Sequence, residues 1–446
     1  MVALEREASS YDVVVVGGRP AGATLAARLG ARGLSVLVMD KAEFPSLPEV
    51  PSCPIMYSGV MQMLEEIGIP EDAYRAAATP IRTVVIGFEG YFQTTFQIMT
   101  TRGRDYIYGF NRERFDRVLW DHLARYPSVT RRSGFAVGDL VRDAAGRVIG
   151  IEGAPRGGGR ERILARLAVV GADGRHSLIA RRVGARVTED RADRTATVHF
   201  ADWEGIAPAT PDGAPAIHIV STGRGRHVLF FPAYNGIVTV ATQVRADRAH
   251  TGGDPQGYYL GHLRSLETAR RRIEGARQIG PLLGMRRIAN RYREHGGPGW
   301  VLVGDALHHK DPLDGQGVYD ALIEARHLAD LLVQHRDGRV SWEALLDRYR
   351  HAVMAETHGM FEATMARLDR ELYTEPPPMV IRTLLRWMLE DPLYQRRFMQ
   401  MLSRTIPPET WLSRSLVAGA AARGVARDLR ALWRRAIPRP VRRTTG

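Results

Sequence analysis

Val303-Gly304-Asp305-Ala306-Leu307-His308-His309-Lys310-Asp311-Pro312-Leu313-Asp314-Gly315-Gln316-Gly317 joins a short apolar segment, Trp300 to Val303, to a long helical pattern that begins near Val318. A Gly-Asp turn after a strand, then Asp-Pro, then Gly-Gln-Gly at a helix start is the arrangement that a flavin ring and its ribityl chain need. Asp305 can accept hydrogen bonds from ribityl hydroxyls, and Gly304 makes the turn that presents it. Pro312 lacks an N–H and keeps the turn rigid. Between Gly315 and Gly317, with Gln316 in the middle, a backbone short of Cβ atoms can approach the ring closely. The free N–H groups of the helix start then face the ring edge where reduced flavin carries negative charge.

Of the 62 lysines and arginines, only Lys41 and Lys310 are lysines. Lys310 lies inside this motif. Either chance left it there, or a compact ammonium is wanted in place of a planar guanidinium.

Near the start of the chain, Tyr11 to Val16 reads as a buried parallel strand. The turn Gly17-Gly18-Arg19-Pro20-Ala21-Gly22 and a small-residue helix from Ala23 to Arg32 follow, then a second strand, Leu34 to Met39, ending in Asp40. This is a βαβ unit opening a doubly wound domain. Gly17 allows a tight bend and Gly22 lets the helix pack close. Pro20 and Ala21 begin the helix whose N-terminus receives a pyrophosphate, and Asp40 stands where the adenosine ribose is held. Arg19 replaces the middle glycine of G-x-G-x-x-G. Its side chain either points away or neutralises the pyrophosphate. Lys41 follows Asp40 at the same groove. Gly171-Ala172-Asp173-Gly174-Arg175-His176-Ser177 is a second strand-to-helix turn, with Asp173 at the groove. Arg112, at the start of the helix Arg112 to Tyr126, is placed to reach the cofactor phosphates.

The expected class is α/β with an α+β substrate sheet: a Rossmann-like FAD-binding domain, of the aromatic-hydroxylase type if the resemblance given below holds, with an inserted antiparallel β-sheet domain and a C-terminal helical region. The FAD-binding domain is assigned to 1–80, 109–190 and 285–340, the substrate sheet to 81–108 and 191–284, and the helical region to 341–446. Strands are expected at Thr83 to Phe88, Tyr91 to Ile98 and Asp105 to Tyr108, and a β-meander at Gly134 to Val141, Val148 to Gly153 and Ile163 to Leu167. Further strands are read at Ala168 to Gly171 and between Ala196 and Val244, and a helix at Tyr258 to Ala276.

These motifs in this order resemble the FAD-dependent monooxygenase superfamily, which includes single-component aromatic hydroxylases, flavin halogenases and geranylgeranyl reductases. The resemblance covers Tyr11 to Gln334. It is closest to a bacterial branch with Gly-x-Arg-x-x-Gly in the first turn, Phe44-Pro45-Ser46 after the second strand, and Gly297-Pro298-Gly299-Trp300, Gly304-Asp305-Ala306, His309-Lys310-Asp311-Pro312 and Gln316-Gly317 at the last motif. It implies FAD bound non-covalently in an extended conformation. NADPH or NADH would be a transient reductant, and one atom of O2 would pass to a small organic substrate, aromatic or polyketide-like, in secondary metabolism. Two departures stand out. Pro51-Ser52-Cys53-Pro54 replaces the branch's Ser-Thr-His, removing a histidine near the flavin. The halogenase motif Trp-x-Trp-x-Ile-Pro has no counterpart in Val228-Leu229-Phe230-Phe231-Pro232, and no lysine occurs in the sheet region, which speaks against halogenation.

His309 and Lys310 are the candidates for proton handling: histidine has a suitable ordinary pKa, and a lysine can hold an anionic substrate. His218 either points into the pocket or is a satisfied sheet residue. Tyr57, Tyr106, Tyr108 and Tyr234 either line the pocket or serve packing. Two other readings stay open: an FAD-dependent reductase or dehydrogenase acting on an unsaturated or lipid-like substrate, and a flavoprotein without redox turnover.

The single cysteine excludes an internal disulfide and fits a reducing cytosol, and Met1 to Ser10 lacks the apolar core of a signal peptide, so a cytoplasmic location is expected. No zinc-finger spacing is present and no metal is expected. The net charge of +13 is uneven, with eight arginines and one acid between Arg423 and Arg443. Nucleic-acid binding is not expected, because no recognition motif accompanies the charge. Arg423, Arg427, Arg430 and Arg434 recur at helical spacing. Such a helix either makes peripheral contact with an anionic membrane or docks its apolar side on the enzyme and leaves the arginines in solvent.

Overall fold

The computed structural model describes residues 9–49, 52–76 and 78–436. In its first eight-stranded sheet, Ser9–Val16 lies between Glu161–Gly171 and Val36–Met39, all parallel, with Trp300–Leu302 and Val129–Arg132 added outside them. Val13, Val14, Val15, Leu37, Val38, Val169 and Val170 are wholly buried, as apolar runs in a sheet covered on both faces must be. The helices Pro20–Gly30 and Gly317–Arg336 pack against each other, so the first and last turns of the sequence reading meet at one end of this sheet.

The meander is built differently from the expectation. Ile163 to Leu167 and Ala168 to Gly171 are one long strand, Glu161–Gly171. Its first half pairs antiparallel with Val148–Pro155, and its second half runs parallel in the main sheet. The polar half and the apolar half of one strand read as two, because burial changes along it.

The second eight-stranded sheet draws on two stretches of chain. Thr83–Phe88 and Phe92–Gln97 form a hairpin at one edge, and Ala196–Glu204, Ala216–Ser221, Arg226–Pro232 and Val238–Arg245 make up the rest, with short strands from Arg277 to Met285 at the far edge. One pairing departs from the antiparallel expectation: Ala216–Ser221 runs parallel to Thr83–Phe88, where the two stretches are joined. The strand expected at Asp105 to Tyr108 is Ile107–Phe110. It leaves this sheet and pairs with Ile55–Met56 and Ala78–Ile81. The helix expected from Tyr258 to Ala276 is two helices, Pro255–Arg264 and Glu267–Ile273.

Both faces of the second sheet are buried. On the outer face Trp203, Val220, Phe230 and Val240 pack with Tyr259, Leu263 and Ala269 of those two helices. On the inner face Phe200, Ile217, Leu229 and Phe231 share a core with Cys53, Tyr57, Met360, Phe398 and Trp411. The C-terminal helices, led by Trp342–Leu368 and Pro392–Leu402, thus close the inner face rather than extending away from it. Strand alternation places His218 on the outer face, stacked on Phe230, with Nδ1 3.1 Å from buried Arg272. It does not point into the inner-face pocket.

Among the described residues no helix is long and apolar enough to cross a membrane.

Candidate cofactor and active site

A cavity of about 650 Å³ opens where the strand ends of the first sheet meet Cys53 and the core beneath the second. This is the position at which open α/β sheets bind ligands. Its walls hold Gly17, Arg19, Pro20, Ala21, Asp40, Lys41, Arg112, Asp173, Gly304, Asp305, His309, Lys310, Pro312, Gly315, Gln316 and Gly317. Of the cofactor residues singled out from sequence, Gly22 alone stands behind the wall, and there its role is packing. A Cβ on Gly22 would lie 1.8 Å from the Gly17 carbonyl oxygen. Gly17 itself has φ +106°, and a Cβ there would meet the Ala172 carbonyl oxygen at 2.2 Å. The turn can therefore sit against the neighbouring strand end only with glycine at both places.

Two helix starts face the cavity without side-chain caps. Pro20–Gly30 begins with Arg19 at its N-cap and Pro20 in its first turn, and Gly317–Arg336 has Gln316 at its N-cap. The leading N–H groups of each have no intrahelical partner and favour an anion. Asp40 accepts from Gly18 N and Ala42 N, both at 2.9 Å, so it braces the turn as well as lining the groove. Asp173 is likewise a brace. It accepts from Ser177 Oγ at 2.5 Å and from Leu178 N at 2.6 Å, capping the helix Leu178–Val183. Lys41 is exposed at the mouth and pairs with Glu49 at 2.7 Å.

Arg19, in the cavity wall, reaches across to the helix that follows Asn111. Its guanidinium binds Asp116 Oδ2 at 2.6 Å and Ser46 Oγ at 3.0 Å. Arg112 approaches the same carboxylate, with Nε 3.1 Å from Asp116 Oδ1, and also donates to Ser52 Oγ at 2.6 Å. Asp116, buried beneath two arginines, is the residue that sequence reasoning missed here. The spacing of Arg112 and Asp116 by four on one helix was the available signal. A second omission is Arg175. Its Nε and one terminal nitrogen are buried at the cavity without a hydrogen-bond partner, and Asp305 Oδ2 stays 3.7 Å away.

The turn from His308 to Gly317 is held from behind by charge. His308 Nδ1 lies 2.7 Å from Glu324 Oε1 and Nε2 lies 3.6 Å from Asp320. Burial alone would lower the His308 pKa, but Glu324 and Asp320 push it up to about 9. Lys310, read from sequence as a proton handler, is ion-paired with Asp320, which Arg404 also holds at 2.8 Å. Its ammonium is committed to that carboxylate in the cavity wall. His309 is buried, and burial together with Arg175 and Arg293 depresses its pKa, so the ring is neutral. A neutral ring with Nδ1 3.0 Å from the Asp305 carbonyl oxygen donates from Nδ1 and leaves Nε2 an acceptor.

Asp311, between Lys310 and Pro312, has the environment those two lack. It is 2% exposed and lines the cavity. Oδ1 accepts from Gln243 Nε2 at 2.6 Å and from Leu313 N at 3.0 Å, while Oδ2 is buried without a partner. Burial pushes its pKa up to about 7. Further along, Asp314 accepts from Thr364 Oγ1 at 2.6 Å and is ion-paired with Arg367, and Gln316 is held by Leu402 O and Arg404. The C-terminal helices therefore fix the turn that the sequence placed beside the ring.

On the inner-face side, Cys53 and Tyr57 stand against Gly315, whose φ is +64°. Burial raises the pKa of Cys53, so it is a neutral thiol and not a base. Tyr106 and Tyr108 both donate to Glu71 Oε1 at 2.6 Å and serve packing. Tyr234 lies under Arg114 and lines a smaller cavity of about 110 Å³ beside Asp202 and Arg112.

A cavity with two uncapped helix starts, a glycine turn without room for a Cβ and a guanidinium with two nitrogens free of hydrogen bonds fits a long dianionic cofactor such as FAD. The comparisons with known proteins agree. The sequence profile described as FAD binding domain matches residues 10–364. A 1H-pyrrole-2-carbonyl-[peptidyl-carrier protein] chlorinase of Pseudomonas fluorescens is 26% identical over 337 residues, covering 71% of this chain and 74% of the relative. The rifampicin monooxygenase of Streptomyces venezuelae is 25% identical over 388 residues, covering 85% of this chain and 75% of that protein. The solved structure of a flavin-dependent brominase superposes with a TM-score of 0.76 at 17% identity, covering 94% of this chain and 100% of the other, a likeness of fold. The chain belongs to the FAD binding domain family and is an FAD-dependent oxidoreductase.

Proposed function

We propose that this protein is a monooxygenase that uses NAD(P)H and O2 to place one oxygen atom on a phenolic or polyketide-like small molecule. One observation carries the choice of oxygenation: both lysines at the cavity are held in ion pairs, so neither offers a free amine. Lys41 is paired with Glu49 at the cavity mouth, and Lys310, in the cavity wall, is ion-paired with Asp320. The strand Arg226–Pro232 turns Leu229 and Phe231 inward, with no tryptophan. The names of the chlorinase and the brominase favour a second reading, halogenation.

Bound FAD supplies electron transfer from NAD(P)H and activation of O2. The residues of this chain do the rest. The uncapped start of Gly317–Arg336 stabilises negative charge at the inner end of the cavity. The core of Phe200, Ile217, Leu229 and Phe231 backs Cys53 in the cavity wall and keeps water out on that side. Asp311 accepts the proton of the substrate hydroxyl on Oδ2, with Gln243 holding the carboxylate in place.

The test is turnover of phenolic and polyketide-like aromatics with NADPH or NADH under 18O2, with and without added chloride or bromide. The expected product gains one 18O and no halogen. A halogenated product replaces this reading with the second one, and reduction without oxygen gain replaces it with a reductase.

A pH profile tests the proton step. Asp311 keeps its proton up to about pH 7 and is a base only above it. Turnover is expected to rise through pH 7 and then level off. Asp311→Asn should remove the rise and lower the plateau by roughly 10²-fold. The stability effect has the opposite sign. The folded state holds this proton at pH values where the unfolded chain, with an ordinary value of 3.8, has released it, so the contribution of Asp311 to stability falls as pH rises from 3.8 to about 7.

A further inference from the structure

The helix Arg414–Ala436 is docked by the face that sequence reasoning left in solvent. Arg423 Nε donates to Asp391 Oδ2 at 2.6 Å, and Arg427 donates to Glu390 Oε2 at 2.8 Å. Asp428 accepts from Trp387 Nε1 at 2.8 Å and pairs with Arg386. Gly424 lies flat on Trp387, where a Cβ would meet the ring at 2.1 Å, and Ala420 is wholly buried. The apolar residues therefore point the other way. Val425, Leu429, Leu432 and Trp433 are 41%, 60%, 62% and 68% exposed. Spaced by four, three and one, they form a single stripe opposite the docked face. Exposed Arg430 and Arg434 flank it. Beyond Asp428 the sequence holds six arginines and no acid to its last residue.

We infer that this stripe is the membrane-contacting face of the enzyme and seats on an anionic phospholipid surface. An apolar stripe ending in tryptophan, with Arg430 on one border and Asp428 on the other already tied to Arg386 and Trp387, matches the boundary between acyl chains and phosphate headgroups: the apolar side chains enter the acyl region and the guanidinium groups stay at the phosphates. A second copy of the chain fits less well. Four side chains on three turns of helix present far less than the ~800 Å² per partner of a stable interface, and pairing two such helices brings like-charged arginine clusters together. The helix is fixed to the body by ion pairs on its other side, so it lies in the plane of the surface and does not insert.

The experiment is co-sedimentation of the full-length, FAD-loaded protein with large vesicles, either phosphatidylcholine alone or equal parts phosphatidylcholine and phosphatidylglycerol, at low and high salt. Binding to the anionic vesicles is expected to exceed binding to the neutral ones by at least about tenfold and to weaken with salt. The double variant Leu429→Glu/Trp433→Glu should lose at least about tenfold in vesicle binding, and Arg430→Gln/Arg434→Gln should lose part of it. FAD content and unfolding temperature should be unchanged in both, because none of these residues touches the core. Equal binding to both vesicle types, or full binding by the double glutamate variant, overturns the inference. So does a dimer by light scattering that the same variant turns into a monomer, since the stripe would then belong to a second copy.

Discussion

Gly22→Ala is expected to yield a folded protein that no longer retains its yellow cofactor through gel filtration. The new Cβ would sit 1.8 Å from the Gly17 carbonyl oxygen and 3.1 Å from a Val15 methyl. No side-chain rotation can relieve the first contact, because the oxygen it meets is backbone. The turn from Gly17 to Pro20 must then shift away from the helix start. That shift misaligns the uncapped N–H groups that would carry the pyrophosphate of bound FAD. A hydrogen bond to a charged group is worth ~1.5–3 kcal/mol, so losing two weakens FAD by a factor of roughly 10² to 10⁴. The overpacking itself costs about 1–3 kcal/mol of stability. Titration of the apoprotein with FAD, followed by flavin fluorescence, gives the affinity directly. An affinity within about threefold of the parent would mean that the turn does not carry the phosphate. Gly33→Ala is the control in the same unit: its Cβ would meet nothing within 4 Å, although φ is +74°.

Arg367→Ala is expected to destabilise the whole protein by about 3–5 kcal/mol, the usual consequence of removing one partner from a buried ion pair. Arg367 is 4% exposed, and its guanidinium joins Asp314 in the flavin-side turn to Glu371, whose carboxylate is 2.8 Å away. It also lies 4.9 Å above the Phe398 ring. Without it, Asp314 is left charged and buried beside Thr364, and the link from the C-terminal helices to the turn is broken. Arg367→Lys keeps the charge but cannot reach both carboxylates in the same geometry, and should recover only part of the loss. Thermal unfolding at saturating FAD reads the stability, and the FAD dissociation constant reads the turn. An Ala variant that unfolds within about two or three degrees of the parent would show that the pair contributes little.

Much of the first sheet was legible because local rules and tertiary environment agree there. Val13 to Val16 is apolar without a break, and a glycine turn and a small-residue helix follow, as a covered parallel strand and its crossover demand. The last motif was legible for a similar reason: proline and glycine at fixed offsets leave few backbone paths between Leu302 and Gly317. The reading weakened wherever a side chain had two possible partners. Arg112 has the chemistry of a phosphate ligand at a helix start, and Arg19 could either point away or neutralise a pyrophosphate. Asp116, 97 residues from Arg19 in sequence, pairs with both. Lys310 looked like a proton handler because lysine is so rare in this chain, and Asp320, ten residues on, holds it in an ion pair. Asp311 went unremarked between them, since a carboxyl is ordinary until burial raises its pKa.

Read along the chain, the residues settled the order of the elements, the two strand-to-helix turns that face the cofactor cavity and the glycines that only close backbone approach explains. These are properties of a few consecutive residues, set by φ, by a missing Cβ or N–H and by the period of burial. The partner of each long charged side chain stayed open, as did the direction in which an amphipathic helix lies. Packing resolved both: the C-terminal helices close over the inner sheet face, Arg367 and Arg404 clamp the turn, and Arg414–Ala436 docks through its ion pairs with its apolar stripe outward. A flexible guanidinium reaches several ångströms in any direction, and ion pairs gain their strength from burial. Which acid it meets, and whether water is excluded there, is fixed only when segments far apart in the chain are packed together.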